Sequence, residues 1–250
     1  MQRTTYLLIV LIILILSFSL VRRTNFFVEA HPVKQKDPKA ERYELAKRHF
    51  PTVDYNEPNL PDTEQNREKK EKKKRFNDLG NWVSTIPQSY IAENLAITEG
   101  SFNFPALPVA KSEIILMGVV GETKAQLSEN KRNVFSEFMI AVERVFKSSN
   151  QEVKQGSVVT INRMGGFVKY SNGQTILYRR SGMYMPKIGG RYLFFLSSLN
   201  KHDYGILTAY ELTAAGVIPL DMSTEFFAFE GKSETEILER LRGLLPNTSN

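Results

Sequence analysis

Basic and aromatic side chains gather between residues 163 and 191, and they are the most suggestive chemical signal in the chain. The set comprises Arg163, Lys169, Tyr170, Tyr178, Arg179, Arg180, Tyr184 and Arg191. Aromatic rings stack on the faces of ligands, and guanidinium groups pair with anions. The set therefore predicts a surface that binds a protein, a glycan or a polyanion. In the alternative interpretation, the tyrosines fill the interior of the fold and the basic groups are solvated outside it.

Residues that commonly carry catalysis are few. The histidines are His31, His49 and His202, and only His202 is followed directly by a carboxylate, Asp203. Such a pair can act as a base and its orienting group, but nothing marks a nucleophile beside it. Cysteine is absent, and no spacing of His, Asp and Glu is typical of a metal site. We therefore predict no enzyme, no catalytic residue, no metal and no cofactor, and we keep a hydrolase that uses His202 and carboxylates as an alternative.

The overall charge limits the class of partner. The chain of 250 residues has 33 Lys and Arg against 27 Asp and Glu, which gives a formal net charge of +6. This mild basic excess favours anionic surfaces such as lipid headgroups, but it is far below that of a dedicated nucleic-acid binder. The lack of cysteine excludes disulfides without fixing the compartment.

Residues 1–23 contain the uncharged, almost wholly apolar segment Tyr6–Val21. As a helix it would be about 24 Å long, slightly short of a bilayer core of about 30 Å. The flanking Arg22 and Arg23 can reach the interface and make up the difference. We predict an uncleaved membrane anchor, and the alternative is a signal peptide cleaved near Ala30, which would give a secreted protein.

Residues 24–78 form a charged segment with five prolines, in which we expect only short helices. The lysine-rich run Arg67–Arg75 in this segment is a solvated helix or a disordered spacer. A sharper hypothesis is a contact with anionic lipid, worth about 1 kcal/mol per basic residue close to the surface. Residues 79–110 are much more apolar and are expected to pack against the body that follows.

Strand patterns dominate residues 111–221. The run at 133–147 alternates, and the side predicted to face the core comprises Val134, Ser136, Phe138, Ile140, Val142, Arg144 and Phe146. Asn172 and Gly173 predict a two-residue type I′ hairpin turn, with Tyr170 opposite Thr175 and Val168 opposite Leu177.

The stretch that follows the turn glycines Gly189 and Gly190 is apolar on both faces. Tyr192, Phe194 and Leu196 point one way, and Leu193 and Phe195 point the other. The pattern predicts a central strand that is covered on both sides.

Residues 222–250 predict a helix and a tail. Ser233 and Glu236 have the spacing of a capping box. The apolar face that follows comprises Ile237, Leu238, Leu241, Leu244 and Leu245.

The order of the strand segments resembles a known family. An apolar strand ending in Gly-Val-Val is followed by a long alternating strand ending in Val-Glu-Arg-Val-Phe-Lys, by Gly-Ser-Val-Val-Thr-Ile and by Pro-Lys-Ile-Gly-Gly-Arg-Tyr-Leu-Phe-Phe-Leu. Over residues 110–220 this order is similar to that of netrin-like modules and the tissue inhibitors of metalloproteinases, and still more to bacterial exported domains of the same pattern. The cysteine through which the inhibitors bind a protease's metal is missing here, so inhibitory chemistry carries over to no residue.

The resemblance implies an OB-type barrel. We therefore predict a mostly β protein with an OB-like closed β-barrel of five to seven antiparallel strands, a C-terminal helix and an N-terminal transmembrane helix.

Two indicators of orientation disagree. The arginines and lysines that follow the apolar segment would keep the body in the cytoplasm, whereas the resemblance implies a domain outside it. We predict a membrane-anchored protein with an extracytoplasmic C-terminal domain that binds or scaffolds at the cell envelope. The alternatives are a cytoplasm-facing, nucleic-acid-binding OB-fold and the hydrolase.

Overall fold

The computed structural model describes residues 49–77, 84–87, 102–199 and 203–246. The chain divides into two compact units, residues 1–37 and 38–250, and every described residue belongs to the second. The predicted anchor in residues 1–23 lies outside the described residues. Among the helices of the described ranges, none combines the length and the apolar character needed to span a membrane.

Most of the regular structure in the described residues is β-strand. The strands are β1 (Thr52–Asp54), β2 (Ser84–Pro87), β3 (Ile114–Leu127), β4 (Val134–Ser148), β5 (Val158–Met164), β6 (Gly166–Lys169), β7 (Thr175–Arg179), β8 (Arg191–Ser198), β9 (Tyr204–Thr213) and β10 (Gly216–Pro219). The helices are α1 (Glu64–Arg75), a 3-10 turn at Phe226–Phe229 and α2 (Glu234–Leu244). The prediction of a mostly β protein with a C-terminal helix is confirmed.

The larger sheet closes into a ring. Its strand order is β10-β9-β5-β4-β3-β8, and β8 also pairs with β9, so β3, β4, β5, β9 and β8 form one circuit. A ring with an odd number of strands cannot alternate in direction throughout. The mismatch falls between β5 and β9, which run parallel through the pairs Ile161–Tyr204 and Asn162–Gly205. The prediction of wholly antiparallel strands is therefore wrong at this junction.

A smaller sheet has the order β1-β6-β7-β2. Residues 49–77, which were expected to be part of a spacer, contribute its first strand, and β1 pairs parallel to β6. Phe50, Val53 and Phe76 from this segment are buried. This part of the charged segment is thus packed on the body.

The alternation predicted for β4 is confirmed only over its first half. The buried side comprises Val134, Ser136, Phe138, Ile140 and Val142. Beyond Val142 the register shifts, because Gly118 pairs with Val142 and Met117 with Arg144, which leaves Glu143 as an extra residue. Such a bulge moves the following side chains to the opposite face. Arg144 is consequently exposed.

Strand β8 separates two hydrophobic clusters. Phe194 and Leu196 belong to the interior of the ring, to which all five ring strands contribute. Leu193 and Phe195 belong to a second cluster outside the ring, together with residues of β10 and α2. All four side chains are fully buried, so the prediction of a central strand covered on both faces is confirmed.

Helix α2 covers the outer cluster and begins with the predicted capping box. The backbone N–H of Glu236 donates to Ser233 Oγ at 3.2 Å, and the N–H of Ser233 donates to the Glu236 carboxylate at 2.8 Å. The predicted apolar face is only partly correct: Ile237, Leu238 and Leu241 are buried, whereas Leu244 is 44% exposed.

The segment at 79–110 was expected to pack on the body. Leu107 and Val109 of this segment lie in the outer cluster. Residues 84–87 form β2, and the remainder up to residue 101 lies outside the described residues.

The β6–β7 hairpin differs from the prediction by one residue. The N–H of Gly173 donates to the Tyr170 carbonyl at 3.0 Å, and the N–H of Tyr170 donates to the Gln174 carbonyl at 2.8 Å. Within this loop only Gly173 has a positive φ, of 82°. A type I′ turn needs two such residues, so the chain forms a three-residue loop with a glycine bulge instead. The register consequently places Lys169 opposite Thr175.

Candidate functional site

A cleft of about 700 Å³ lies between α1 and the outer face of the ring. Strands β3, β4 and β5 and the residue before β9 form its floor, and α1 forms the wall that faces this floor. The floor residues used below are Glu122, Thr123, Glu137, Met139, Thr160 and Asp203. We call this feature the α1 cleft.

The period of β4 explains why polar groups line the floor. Phe138 and Ile140 point into the ring and are fully buried. The residues on either side of Phe138 must point outward, because successive side chains of a strand alternate in direction. Glu137 and Met139 occupy these outward positions, and Met139 is 41% exposed.

Lys72 crosses from α1 to the floor. Its ammonium group forms ion pairs with the Glu137 carboxylate and, at 2.6 Å, with Asp203 Oδ1. All three side chains are largely shielded, at 14%, 19% and 14% exposure for Lys72, Glu137 and Asp203. Arg75 adds a longer contact of 3.5 Å to Asp203. Two carboxylates, one on β4 and one directly before β9, thus converge on one lysine.

The end of α1 is fixed by an aromatic contact. The ring of Phe76 stacks on that of Phe135, with centroids 3.9 Å apart and planes 9° from parallel. Phe135 is an outward residue of β4, yet it is fully buried because Phe76 and the end of α1 cover it. The Asn133 side-chain amide also donates to the Phe76 carbonyl at 2.8 Å.

The two sides of the α1 cleft carry opposite charge. The floor offers Glu122, Glu137 and Asp203 against Lys124, and the helix wall has more Lys and Arg than Glu. Burial lowers the pKa of Lys73, which neighbouring Glu57 partly offsets and Lys124 reinforces. The arrangement suits the binding of a charged segment that forms ion pairs with the outer face of the ring.

The predicted basic and aromatic set does not form one surface. Arg163 is fully buried and pairs with Asp221. Arg179 and Tyr184 are 5% and 6% exposed. Burial raises the pKa of the Tyr184 hydroxyl, and Arg179 partly offsets this effect. These three side chains are therefore withdrawn from a surface ligand.

Two further members of the set, Tyr170 and Tyr178, lie on the β6–β7 hairpin. Their hydroxyl groups are hydrogen bonded at 2.7 Å. The Tyr170 ring also stacks on Tyr55 at 4.9 Å, and Lys131 lies 5.5 Å from the centre of the Tyr55 ring. Burial, followed by the bond to Tyr178, raises the pKa of Tyr170. The rings are thus engaged with each other more than with solvent.

The remaining members occupy separate places. Lys169 and Arg180 are exposed. Arg191 pairs with Glu143 at 2.6 Å and with Glu234 at 2.6 Å, which connects β8 to β4 and to the first turn of α2. Its hydrogen bond to Glu234 is the main reason that its pKa is raised.

The run Arg67–Arg75, for which a contact with anionic lipid was one hypothesis, lies within helix α1. Several of its basic groups are engaged within the protein: Arg67 with Glu64, Lys70 with Asp62 and Lys74 with Glu71. His202 lies outside the described residues, and its neighbour Asp203 is bound by Lys72.

Sequence reasoning did not identify the α1 cleft. Lys72 and Asp203 are 131 residues apart, so no local pattern connects them. The alternation of β4 nevertheless offered a usable signal, because it separates the apolar side chains that face the core from a series of outward positions. Glu137 occupies such a position and needs a partner or solvent.

No protein-family model matches the sequence, and no curated protein matches it significantly. The function is therefore inferred from the geometry of the cleft.

Proposed function

We propose that the protein is a non-enzymatic binding or scaffolding module of the OB type at the cell envelope, and that its partner binds in the α1 cleft. The observation that carries the proposal is the cleft itself, about 700 Å³ in volume with a polar floor on three ring strands. This volume lies within the range of about 300–1,000 Å³ that is usual for binding sites. This binding surface differs from the basic and aromatic one predicted from the sequence, because Arg163, Arg179 and Tyr184 are buried.

The connectivity of the ring supports the OB assignment. An OB-fold is a five-stranded, partly open Greek-key barrel. Here five strands form the circuit, and β9 lies between β8 and β5 although β5 is far from it in sequence. Only two residue pairs join β5 to β9, as expected for a partly open junction.

The position of the cleft supports the same assignment. OB-folds bind ligands on the face of the second and third strands and on the loops that join strands one to two and four to five. Counted from β3, the second and third ring strands are β4 and β5. Glu137, Met139 and Thr160 line the cleft from these strands, and Asp203 lines it from the connection between β8 and β9.

The charge of the floor argues against the nucleic-acid alternative. Proteins that bind single strands use a positively charged groove with aromatic platforms. Glu122, Glu137 and Asp203 place carboxylates on this face instead, and these would repel phosphate groups. A polypeptide or glycan with cationic or hydroxyl groups fits the floor better.

Site-specific photo-crosslinking tests the proposal. A photoreactive residue in place of Met139, in the cleft, is expected to capture a discrete partner from intact cells. The same residue in place of Ile188, which is 60% exposed and outside the cleft, is the control. Adducts that are equal at both positions, or absent at position 139, would contradict the proposal.

Envelope location is tested separately, by adding protease to intact cells. We expect the C-terminal domain to be digested. A domain that is protected until the cells are lysed would favour the cytoplasmic alternative.

A further inference from the structure

Helix α1 shows how the floor of the cleft holds a ligand. Lys72 enters between β4 and the β8–β9 connection and is held by Glu137 and Asp203 together. We propose that the α1 cleft recognises a lysine-rich helical segment of a partner protein, and that α1 occupies the same face as an internal competitor. This inference rests on the proposed binding function and names its partner and its regulation.

The composition of α1 makes it an exchangeable ligand. Its sequence, EQNREKKEKKKR, contains no apolar residue. The helix itself is therefore held on the floor through Lys72 and Arg75, and hydrophobic contact begins only at Phe76. Another helix with lysines at the same spacing can form the same ion pairs.

The charge of the floor defines the occupant that can replace α1. The floor carboxylates Glu137 and Asp203 already select a cation with hydrogen-bond donors. A phosphate or sulfate polymer would meet these carboxylates and be repelled. A helix is the expected form because α1 presents Lys72 and Arg75 from one face, three residues apart.

The tether explains why α1 lies against the floor of the cleft in the isolated protein. A ligand joined to its site by a short segment has an effective concentration of about millimolar. A partner helix must therefore bind more tightly than α1, or bind when α1 is loosened. Salt is one such influence, since partly exposed ion pairs weaken as ionic strength rises.

The test uses the full chain and a synthetic peptide that copies residues 62–77. In the first variant Lys72→Glu and Arg75→Glu are combined, which places like charges against Glu137 and Asp203. The control combines Lys70→Glu and Lys74→Glu, which changes the net charge equally. These two lysines pair with Asp62 and Glu71 and do not line the cleft.

Two measurements are made on each protein. Hydrogen–deuterium exchange of residues 64–75 is expected to accelerate by about tenfold or more in the K72E/R75E protein and to change little in the control. Fluorescence anisotropy is expected to show that K72E/R75E binds the labelled peptide about tenfold more tightly than the wild type or the control does. A peptide with Lys72→Ala is expected to lose this affinity, and one with Lys74→Ala to keep it.

Each other outcome overturns the inference. Unchanged exchange in K72E/R75E would show that the ion pairs do not hold α1. Open α1 without peptide binding, equal binding by the control, or binding of a heparin fragment in place of the peptide would exclude a lysine-rich helix as the ligand. Circular dichroism of both variants verifies that the ring is folded.

Failure here is distinguishable from failure of the proposed function. If crosslinking at position 139 captures a partner while the peptide does not bind, the binding module stands and only the identity of its ligand is wrong. If neither experiment yields a complex, both are overturned.

Discussion

Arg163 Nη2 and Asp221 Oδ1 form an ion pair whose two side chains are fully buried. Arg163 lies on β5 on the same side as Ile161, toward the interior of the ring, and Asp221 follows β10. Asp221 Oδ1 also accepts the backbone N–H of Tyr184 at 3.4 Å. The pair therefore joins β5, the end of β10 and the loop before β8 in a place that water does not reach.

Replacing Asp221 with leucine is predicted to destabilise the fold strongly. The change would leave the guanidinium of Arg163 buried without a counter-charge or a hydrogen-bond acceptor, which typically costs about 3–5 kcal/mol at neutral pH. Urea unfolding followed by circular dichroism measures this difference. The combined change Arg163→Met and Asp221→Leu is expected to cost less, because it leaves no charge behind. A double variant less stable than D221L would contradict this account.

The same carboxylate predicts a specific pH dependence. Burial raises the pKa of Asp221 to about 6 from an ordinary value of 3.8, and Arg163 offsets part of the effect. Between these values the folded protein binds the additional proton, so titration of Asp221 lowers the free energy of unfolding as pH rises through this window. Above about pH 6 this residue contributes no further change.

Unfolding of the wild type and of D221L at a series of pH values from about 4 to about 7 isolates this contribution. The stability advantage of the wild type is expected to shrink as pH rises and then to level off. An advantage that grows with pH in this window would show that the pKa of Asp221 is lowered in the folded state.

The sequence predicted features that depend on neighbouring residues. The capping box at Ser233 and Glu236 requires only a spacing of three, and the two-faced burial of β8 follows from its unbroken apolar run. The role of Arg163 could not be predicted in this way, because its carboxylate partner is 58 residues away. Arg163 lies in the region of strand patterns at 111–221, but the sequence could not tell which face of its strand would be buried.

The bulge at Glu143 escaped prediction for a related reason. The alternation of β4 continues in the sequence through Phe146, so the pattern alone predicts one unbroken core face. The pairing with β3 breaks this pattern, because Glu143 is an extra residue between the two residues of β4 that pair with successive residues of β3. Likewise, the sequence alone predicted a solvated or disordered α1. The carboxylates that hold Lys72 come from distant parts of the chain and meet it only in the folded protein.

Gly118 is predicted to be required by the close approach of β3 and β4. A Cβ atom at this position would lie 2.6 Å from the Ala141 carbonyl oxygen, and a backbone atom cannot move aside. Gly118→Ala is therefore expected to lower the free energy of unfolding by about 1–3 kcal/mol. The measurement is thermal or urea unfolding.

Gly121→Ala is the matched control on the same strand. Its Cβ atom would meet only the Met139 carbonyl oxygen, at 3.6 Å, which is an ordinary contact. We expect a change within about 0.5 kcal/mol. Equal destabilisation by the two substitutions would mean that alanine disturbs β3 for a reason other than the contact at Gly118.

Phe76 is predicted to be the hydrophobic anchor of α1. It is 7% exposed and stacked on Phe135, so Phe76→Ala would remove most of that contact and uncover an outward-facing ring of β4. Substitutions of this kind cost about 3–5 kcal/mol in well-packed cores. Hydrogen–deuterium exchange is expected to show that residues 64–75 lose protection while the interior strands of the ring keep theirs.

Phe76→Leu separates anchoring from the specific stacking of two rings. Leucine retains much of the apolar volume, so we expect α1 to stay protected and the loss of stability to be below about 1.5 kcal/mol. The ion pairs of Lys72 are not expected to hold α1 by themselves. Their partners are only partly buried, and α1 has no apolar residue beside them. If α1 remained equally protected after Phe76→Ala, those ion pairs would be sufficient to hold the helix, and the anchor at Phe76 would be unnecessary.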